Sequence, residues 1–185
     1  MNGKEKIEIL DDLIKIIGKS SYNIVMYKNE RIITKEKKLA GMATKNGGHI
    51  LEIGFGLHLC ADEVQNNPNV LSHTIIEIHS EIYNEALNWS KDKKNVNLIL
   101  GDWIDILPIK DIYFDGIIHD TFLDENISEF LNKIKNNCKK NTIVVFAKHP
   151  FDGRMNVMKT NDYEIKYTVF NGNNFYKEKI NPQLI

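Results

Sequence analysis

Apolar residues follow two kinds of pattern along this chain. Short, nearly continuous runs occur at 50–53, 73–77, 96–100, 113–118 and 142–147. Runs of this length, rich in Ile, Val and Leu, read as strands buried on both faces. Between them, helical spacing predicts helices over 59–65, over 80–91 (Ile82, Ala86, Leu87, Trp89) and over 124–138 (Ile127, Phe130, Leu131, Ile134, Cys138). Strands alternating with helices predict an α/β fold with a doubly wound, mostly parallel sheet. After the fifth run the pattern changes to strict alternation at Tyr163, Ile165, Tyr167 and Val169, then a turn at 171–174, then an extended stretch at 175–180. This predicts an antiparallel hairpin on the sheet edge.

Upstream of the first run, Leu10, Leu13, Ile14 and Ile17 stand at helical spacing and end at Gly18, predicting an amphipathic helix over 4–18. A loop over 19–29 then holds Val25-Met26-Tyr27, and a second helix spans 30–45 with Ile32, Leu39, Met42 and Ala43 inward. The charge run Lys35-Glu36-Lys37-Lys38 reads as its solvated face. The expected organisation is a single domain, 1–185, with a helical cover over 1–46 and a ligand-binding core over 47–185.

Composition narrows the class. The chain has 185 residues, 42% hydrophobic and 26% charged, ordinary for a globular protein able to bury its own core. A net charge of −1 gives no field to recruit nucleic acid or an anionic membrane. The two cysteines, Cys60 and Cys138, lack C-x-x-C spacing, which argues against a zinc site or disulfide scaffold and fits a cytoplasmic location. No metal is expected.

The chemistry concentrates at strand ends, where doubly wound sheets bind ligands. The first strand runs into Glu52-Ile53-Gly54-Phe55-Gly56, a turn in which the glycines admit a ligand close to the backbone. Position 59 is Leu, so the third glycine of a dinucleotide G-x-G-x-x-G is absent. The second strand ends at Glu77, 21 residues after Gly56, the distance at which an acid meets a ribose diol. The third ends at Asp102-Trp103, where a carboxylate can accept from an adenine amino group and an indole can pack on the ring. The fourth ends at His119-Asp120-Thr121-Phe122. Taken singly, each acid could equally be a surface residue or a helix cap. The pattern E-x-G-x-G resembles motif I of class I S-adenosylmethionine methyltransferases, which implies that cofactor.

The resemblance is narrower still. Leu51-Glu52-Ile53-Gly54-Phe55-Gly56, Ile75-Ile76-Glu77, Gly101-Asp102-Trp103, Phe114-Asp115-Gly116-Ile117-Ile118-His119-Asp120-Thr121 and, upstream, Val25-Met26-Tyr27-Lys28-Asn29-Glu30 together resemble the guanidinoacetate N-methyltransferase family and its arginine-methylating relatives. The similarity runs from about Val25 to Phe146. It implies a guanidino substrate gripped by Glu30 and Asp120, with Asp120 also accepting the departing proton and Thr121 nearby. It implies a cofactor site of Met26, Glu52, Gly54, Gly56, Glu77, Asp102 and Trp103. A guanidinium is planar and matches two carboxylates through its N–H fork. Tyr27 and Phe122 are candidate walls or ordinary core aromatics.

Three positions depart from the family pattern. Asn29 replaces a Trp, and His58 replaces a small residue in the glycine turn. The stretch after the fifth strand is short and offers Lys148, His149 and Arg154, of which Lys148 or Arg154 is a candidate partner for a substrate anion. The shorter cover favours a small-molecule or peptide guanidine. Two alternatives stay open: a methyltransferase for another small amine or carboxylate, and a non-catalytic binding protein of the same fold. Oligomeric state is not readable.

Overall fold

The computed structural model describes residues 6–17, 23–121, 127–148, 151–152, 157–158 and 164–178. The strands and helices of the core alternate as their apolar patterns require. They are β4 (Gly48–Ile53), α2 (Leu59–Gln65), β5 (Val70–Glu77), α3 (Ser80–Trp89), β6 (Val96–Leu100), the short α4 (Trp103–Ile106), β7 (Phe114–His119), α5 (Ile127–Ile134) and β8 (Cys138–Lys148). The final hairpin is β11 (Glu164–Phe170) and β12 (Phe175–Glu178), and a short pair, β9 (Phe151–Asp152) and β10 (Val157–Met158), precedes it. The main sheet has seven strands in the order β12-β11-β8-β7-β4-β5-β6. Strands β8, β7, β4, β5 and β6 are mutually parallel, and β11 returns antiparallel against β8. The doubly wound sheet and its C-terminal antiparallel hairpin are therefore as the patterning predicts.

The period of two along each strand divides the core. On β4, Ile50 packs with α2 and with a long helix, α1 (Glu30–Ala43), while Leu51 and Ile53 face α4 and α5. On β7, Ile118 joins the α1 side and Ile117 the α5 side. Both faces are covered, so the central strands carry apolar residues at consecutive positions. Helix α1 lies close on β7: a Cβ added at Gly116 would run into the Ala43 carbonyl. Helix and strand touch backbone to backbone there.

The N-terminal segment differs from expectation. The predicted helix over 4–18 is instead a hairpin of β1 (Lys6–Leu10) and β2 (Leu13–Ile17), joined at Asp11-Asp12. The predicted loop contains a third strand, β3 (Asn23–Tyr27), antiparallel to β2. The physical reason lies in the isoleucines. Ile7, Ile9, Ile14 and Ile16 also alternate with polar residues, β-branched side chains favour the pleated state, and the acidic pair is turn chemistry. One face of this small sheet is buried: Ile14 and Ile16 pack with Phe55, Ile75 and Ile82. Among the described residues, no helix is long and apolar enough to cross a membrane.

Candidate active site

The sheet changes winding direction between β4 and β7, which leave their ends in opposite directions along the sheet. Register aligns Ile53 of β4 with His119 of β7. The next residues, Gly54 and Asp120, therefore emerge side by side, and a Cβ on Gly54 would lie 3.6 Å from Thr121 Cγ2 and 3.7 Å from the Asp120 carbonyl. Gly54 has φ 86°, a backbone that glycine adopts without strain. A cavity of about 410 Å³ opens at this point, within the usual range for small-molecule sites.

The β4 turn and the end of β5 are tied together. Phe55 N–H donates to Glu77 Oε2 at 2.8 Å, and His79 N–H donates to Glu77 Oε1 at 2.8 Å. Burial alone would push the Glu77 pKa up, but these donors and the His79 ring hold it below its ordinary value. The carboxylate thus stays ionised inside the cavity wall, with lone pairs for two hydroxyls. Asp102 caps α4 by accepting from Ile104 N–H at 2.9 Å and lines the same cavity. Trp103 also lines it, held edge-on against Phe130 at 5.2 Å and His119 at 5.9 Å. Met26 lies over the turn, its Sδ 3.6 Å from where a Gly56 Cβ would stand.

Glu52 lies deeper than the turn. Its Oε2 is 2.8 Å from His73 Nε2 on the neighbouring strand, and both side chains are almost fully buried. Burial, with Asp120 next, raises the Glu52 pKa well above its usual value. Burial also lowers His73 to about 3, so the imidazole is neutral.

The substrate side is built differently from expectation. Glu30 opens α1, is exposed, and does not line the cavity. The run Lys35-Glu36-Lys37-Lys38 is not uniformly a solvated face: Lys35 is 2% exposed and Glu36 9%. The reason is helical register, since both fall on the stripe of Ile32, Leu39, Ala40 and Ala43 that packs on the sheet. Lys35 Nζ donates to Asp120 Oδ2 at 2.6 Å and contacts Glu36 Oε1 at 2.9 Å. Burial disfavours the ammonium, but the two carboxyls outweigh it and raise the Lys35 pKa. Burial, and then the neighbouring Asp120, push Glu36 up to about 8, against the opposing pull of Lys35.

The remaining candidates separate. Thr121 lines the cavity, and its buried Oγ1 has no hydrogen-bond partner among the described residues. Tyr27 lines it while 52% exposed. His119 is buried against Phe130, with ring centroids 4.2 Å apart, and does not line the cavity. His58 turns away: it adopts φ 53°, and its Nδ1 pairs with Asp62 Oδ2 of its own helix at 2.8 Å. Lys148 ends β8; its side chain, and Phe122, His149 and Arg154, lie outside the described residues. Sequence reasoning missed Lys35 and Glu36, and it missed Ile78 and Ile104, large apolar side chains 54% and 41% exposed at the cavity rim. Each follows a predicted ligand-facing acid (by one residue for Ile78, by two for Ile104), and that position was the available signal.

These features fit an adenosine-bearing sulfonium cofactor. Glu77 offers an ionised acceptor, Ile78 and Ile104 offer an uncovered apolar rim, the glycine turn leaves room for close approach, and the Thr121 hydroxyl lines the cavity.

Known proteins agree with this architecture. The N-methyltransferase NodS from Bradyrhizobium japonicum WM9 is similar at 16% identity and a TM-score of 0.56, over 65% of this chain and 70% of that one. NodS is also known in complex with S-adenosyl-L-homocysteine. A candidate caffeoyl-CoA O-methyltransferase from Staphylococcus aureus is similar at 18% identity and a TM-score of 0.51, over 64% of this chain and 57% of that one. The [4+2]-cyclase SpnF matches at 18% identity and a TM-score of 0.55, over 65% of this chain and 46% of that one. The chain thus spans about half to two thirds of the length of such neighbours, and at these identities the likeness is one of fold. The profile described as guanidinoacetate N-methyltransferase matches residues 3–169, most of the sequence. With the cavity, the glycine turn and the strand-end acids in one place, this settles the family: the chain belongs to the guanidinoacetate N-methyltransferases, a family of enzymes whose methyl donor is S-adenosylmethionine.

Proposed function

We propose that the protein transfers a methyl group from S-adenosylmethionine to a nitrogen of a guanidino substrate. The observation that carries this reading is the placement of Asp120 beside Gly54, facing the cavity that Glu77 and Asp102 also line. When bound, the cofactor supplies a methyl group already activated on a sulfonium sulfur. The Glu77 carboxylate accepts from the ribose hydroxyls, and Asp102 accepts from the adenine amino group. Met26 and the Gly54–Gly56 turn enclose the methionine portion.

On the other side, Asp120 accepts N–H donors of the guanidinium and holds one nitrogen in line with the methyl group. Alignment supplies much of the rate. A guanidinium nitrogen is a poor nucleophile while protonated, so a proton must leave it, and Asp120 is the acceptor within reach. Thr121 donates or accepts at the same end through its hydroxyl, which lines the cavity. Lys148 pairs with a substrate carboxylate.

One observation favours a second reading. Lys35 already places a cation on Asp120, and that would suit a neutral amine substrate. A methyl-transfer screen with guanidinoacetate, arginine, agmatine, an arginyl peptide and a set of simple amines separates the two. Mass increase on a guanidine supports the proposal. Transfer confined to the amines would replace it.

A further inference from the structure

The charged cluster in the cavity wall says more than a pair of acids would. Lys35 and Glu36 come from consecutive positions of α1, and Asp120 comes from the end of β7. Lys35 Nζ takes one oxygen of each carboxyl, at 2.6 Å from Asp120 Oδ2 and 2.9 Å from Glu36 Oε1. One ammonium between two buried carboxyls leaves one negative charge over, which a proton on the pair of acids neutralises, and burial with Asp120 beside it holds the Glu36 carboxyl up to about 8. All three side chains are largely withdrawn from water and line the cavity.

We propose that Glu36 and Asp120 form the grip on the substrate cation, that Lys35 is the fixed counter-ion that lets the two carboxyls stand together, and that a guanidinium enters by taking the place of the proton they share. This rests on the guanidino reading above and deepens it by naming the second carboxylate as Glu36.

Charge and shape support the exchange. With one shared proton, the ammonium of Lys35 and the two carboxyls sum to zero. When a guanidinium replaces that proton, the sum is again zero, so the buried site never carries an uncompensated charge. Without Lys35, the acids and a monocation would leave one negative charge in the protein. Two carboxyls side by side offer paired acceptors to the fork of N–H donors on a planar guanidinium. A neutral amine offers no proton-for-cation exchange. Glu30 cannot serve as this second carboxylate, because it starts the helix on the exposed side and lies outside the cavity lining.

The test is titration calorimetry of guanidinoacetate, arginine and agmatine into the protein loaded with S-adenosylhomocysteine, at pH 7, in two buffers of different ionisation enthalpy. Wild-type protein is expected to release close to one proton per guanidine bound. Glu36→Gln keeps the shape of the protonated carboxyl, so it should hold S-adenosylhomocysteine within about threefold while guanidine binding weakens by about 30-fold or more, the loss expected for one charge-assisted contact. Glu30→Gln should change neither quantity. Binding unaltered in Glu36→Gln, or lost in Glu30→Gln, would overturn the grip and leave the guanidino reading intact. Binding by the wild type without proton release would overturn the exchange, and this readout needs no variant to fold. Failure of the wild type to bind any of the three guanidines would remove the guanidino reading and the grip with it.

Discussion

The Phe55 N–H donates to Glu77 Oε2 at 2.8 Å across 22 residues of sequence. This bond fastens the glycine turn to the end of β5, so the two halves of the proposed cofactor cradle share one carboxylate. Glu77→Gln should weaken S-adenosylmethionine binding by about tenfold to a hundredfold, because the ribose contact loses its charge. Glu77→Ala should also unfold more readily, by about 1–3 kcal/mol, because the Phe55 and His79 amides lose their acceptor. Calorimetry of cofactor binding and a denaturant titration measure the two effects separately.

Asp120→Asn should lower methyl transfer by about 10²–10⁴-fold, the range for removing a positioned proton acceptor. Cofactor affinity should stay within about threefold, because Glu77 and Asp102 lie elsewhere in the cavity wall. Glu36 remains to pair Lys35 in this variant, so the chain should fold. Full activity in Asp120→Asn would remove Asp120 from the chemistry.

The raised pKa of Glu36 has a readable sign. The groups that face it are Lys35 from its own helix, Asp120 after β7, and more distantly Cys60 of α2. Its carboxyl is held up to about 8 against an ordinary value of 4.5, so the folded chain keeps a proton that the unfolded chain has lost. Its contribution to stability is therefore complete below 4.5 and is lost as pH rises to about 8. His73, lowered from 6.5 to about 3, acts in the opposite sense below 6.5. The interval from 6.5 to 8 thus isolates the acids. Stability should fall across it, and Glu36→Gln should make the fall shallower, leaving the part due to Glu52, whose carboxyl burial also raises. Turnover of a guanidine at low concentration should instead rise over the same interval, by up to about tenfold per pH unit, and level off above 8. Denaturation midpoints and kcat/KM against pH test the pair of trends.

His58→Ala should leave cofactor affinity within about threefold and cost less than about 1 kcal/mol of stability. Its ring pairs with Asp62 on the outside of α2, and half-exposed pairs contribute little. A large loss of cofactor binding in this variant would place the imidazole in the cavity after all.

The fold was legible where burial leaves no choice. Strands covered on both faces are apolar at consecutive positions, as at Ile50-Leu51, Ile117-Ile118 and Val144-Val145. The N-terminal hairpin was not legible, because Ile7, Ile9, Ile14 and Ile16 satisfy two periods and the partner that decides between them, the face of Phe55, Ile75 and Ile82, is distant in sequence. The strand-end residues that line the cavity stand at places any doubly wound sheet would use. Lys35 and Glu36 were hidden by chemistry rather than by spacing. They sit in step with Ile32, Leu39 and Ala43, yet a run of charges is ordinarily solvated, and only Asp120, 85 residues away from Lys35, makes the burial tolerable.

The contact between Gly116 and Ala43 bears on how this site could be re-engineered. The Ala43 main chain itself meets Gly116 there, so main chain sets how closely α1 packs on β7 at that point. Shaving side chains from that wall would leave holes without moving it. Room for a bulkier substrate can come instead from Ile16 of the small sheet, which lines the cavity with a side chain that can be shortened. Helix α1 meets the sheet through main chain, whereas the small sheet meets the cavity through side chains.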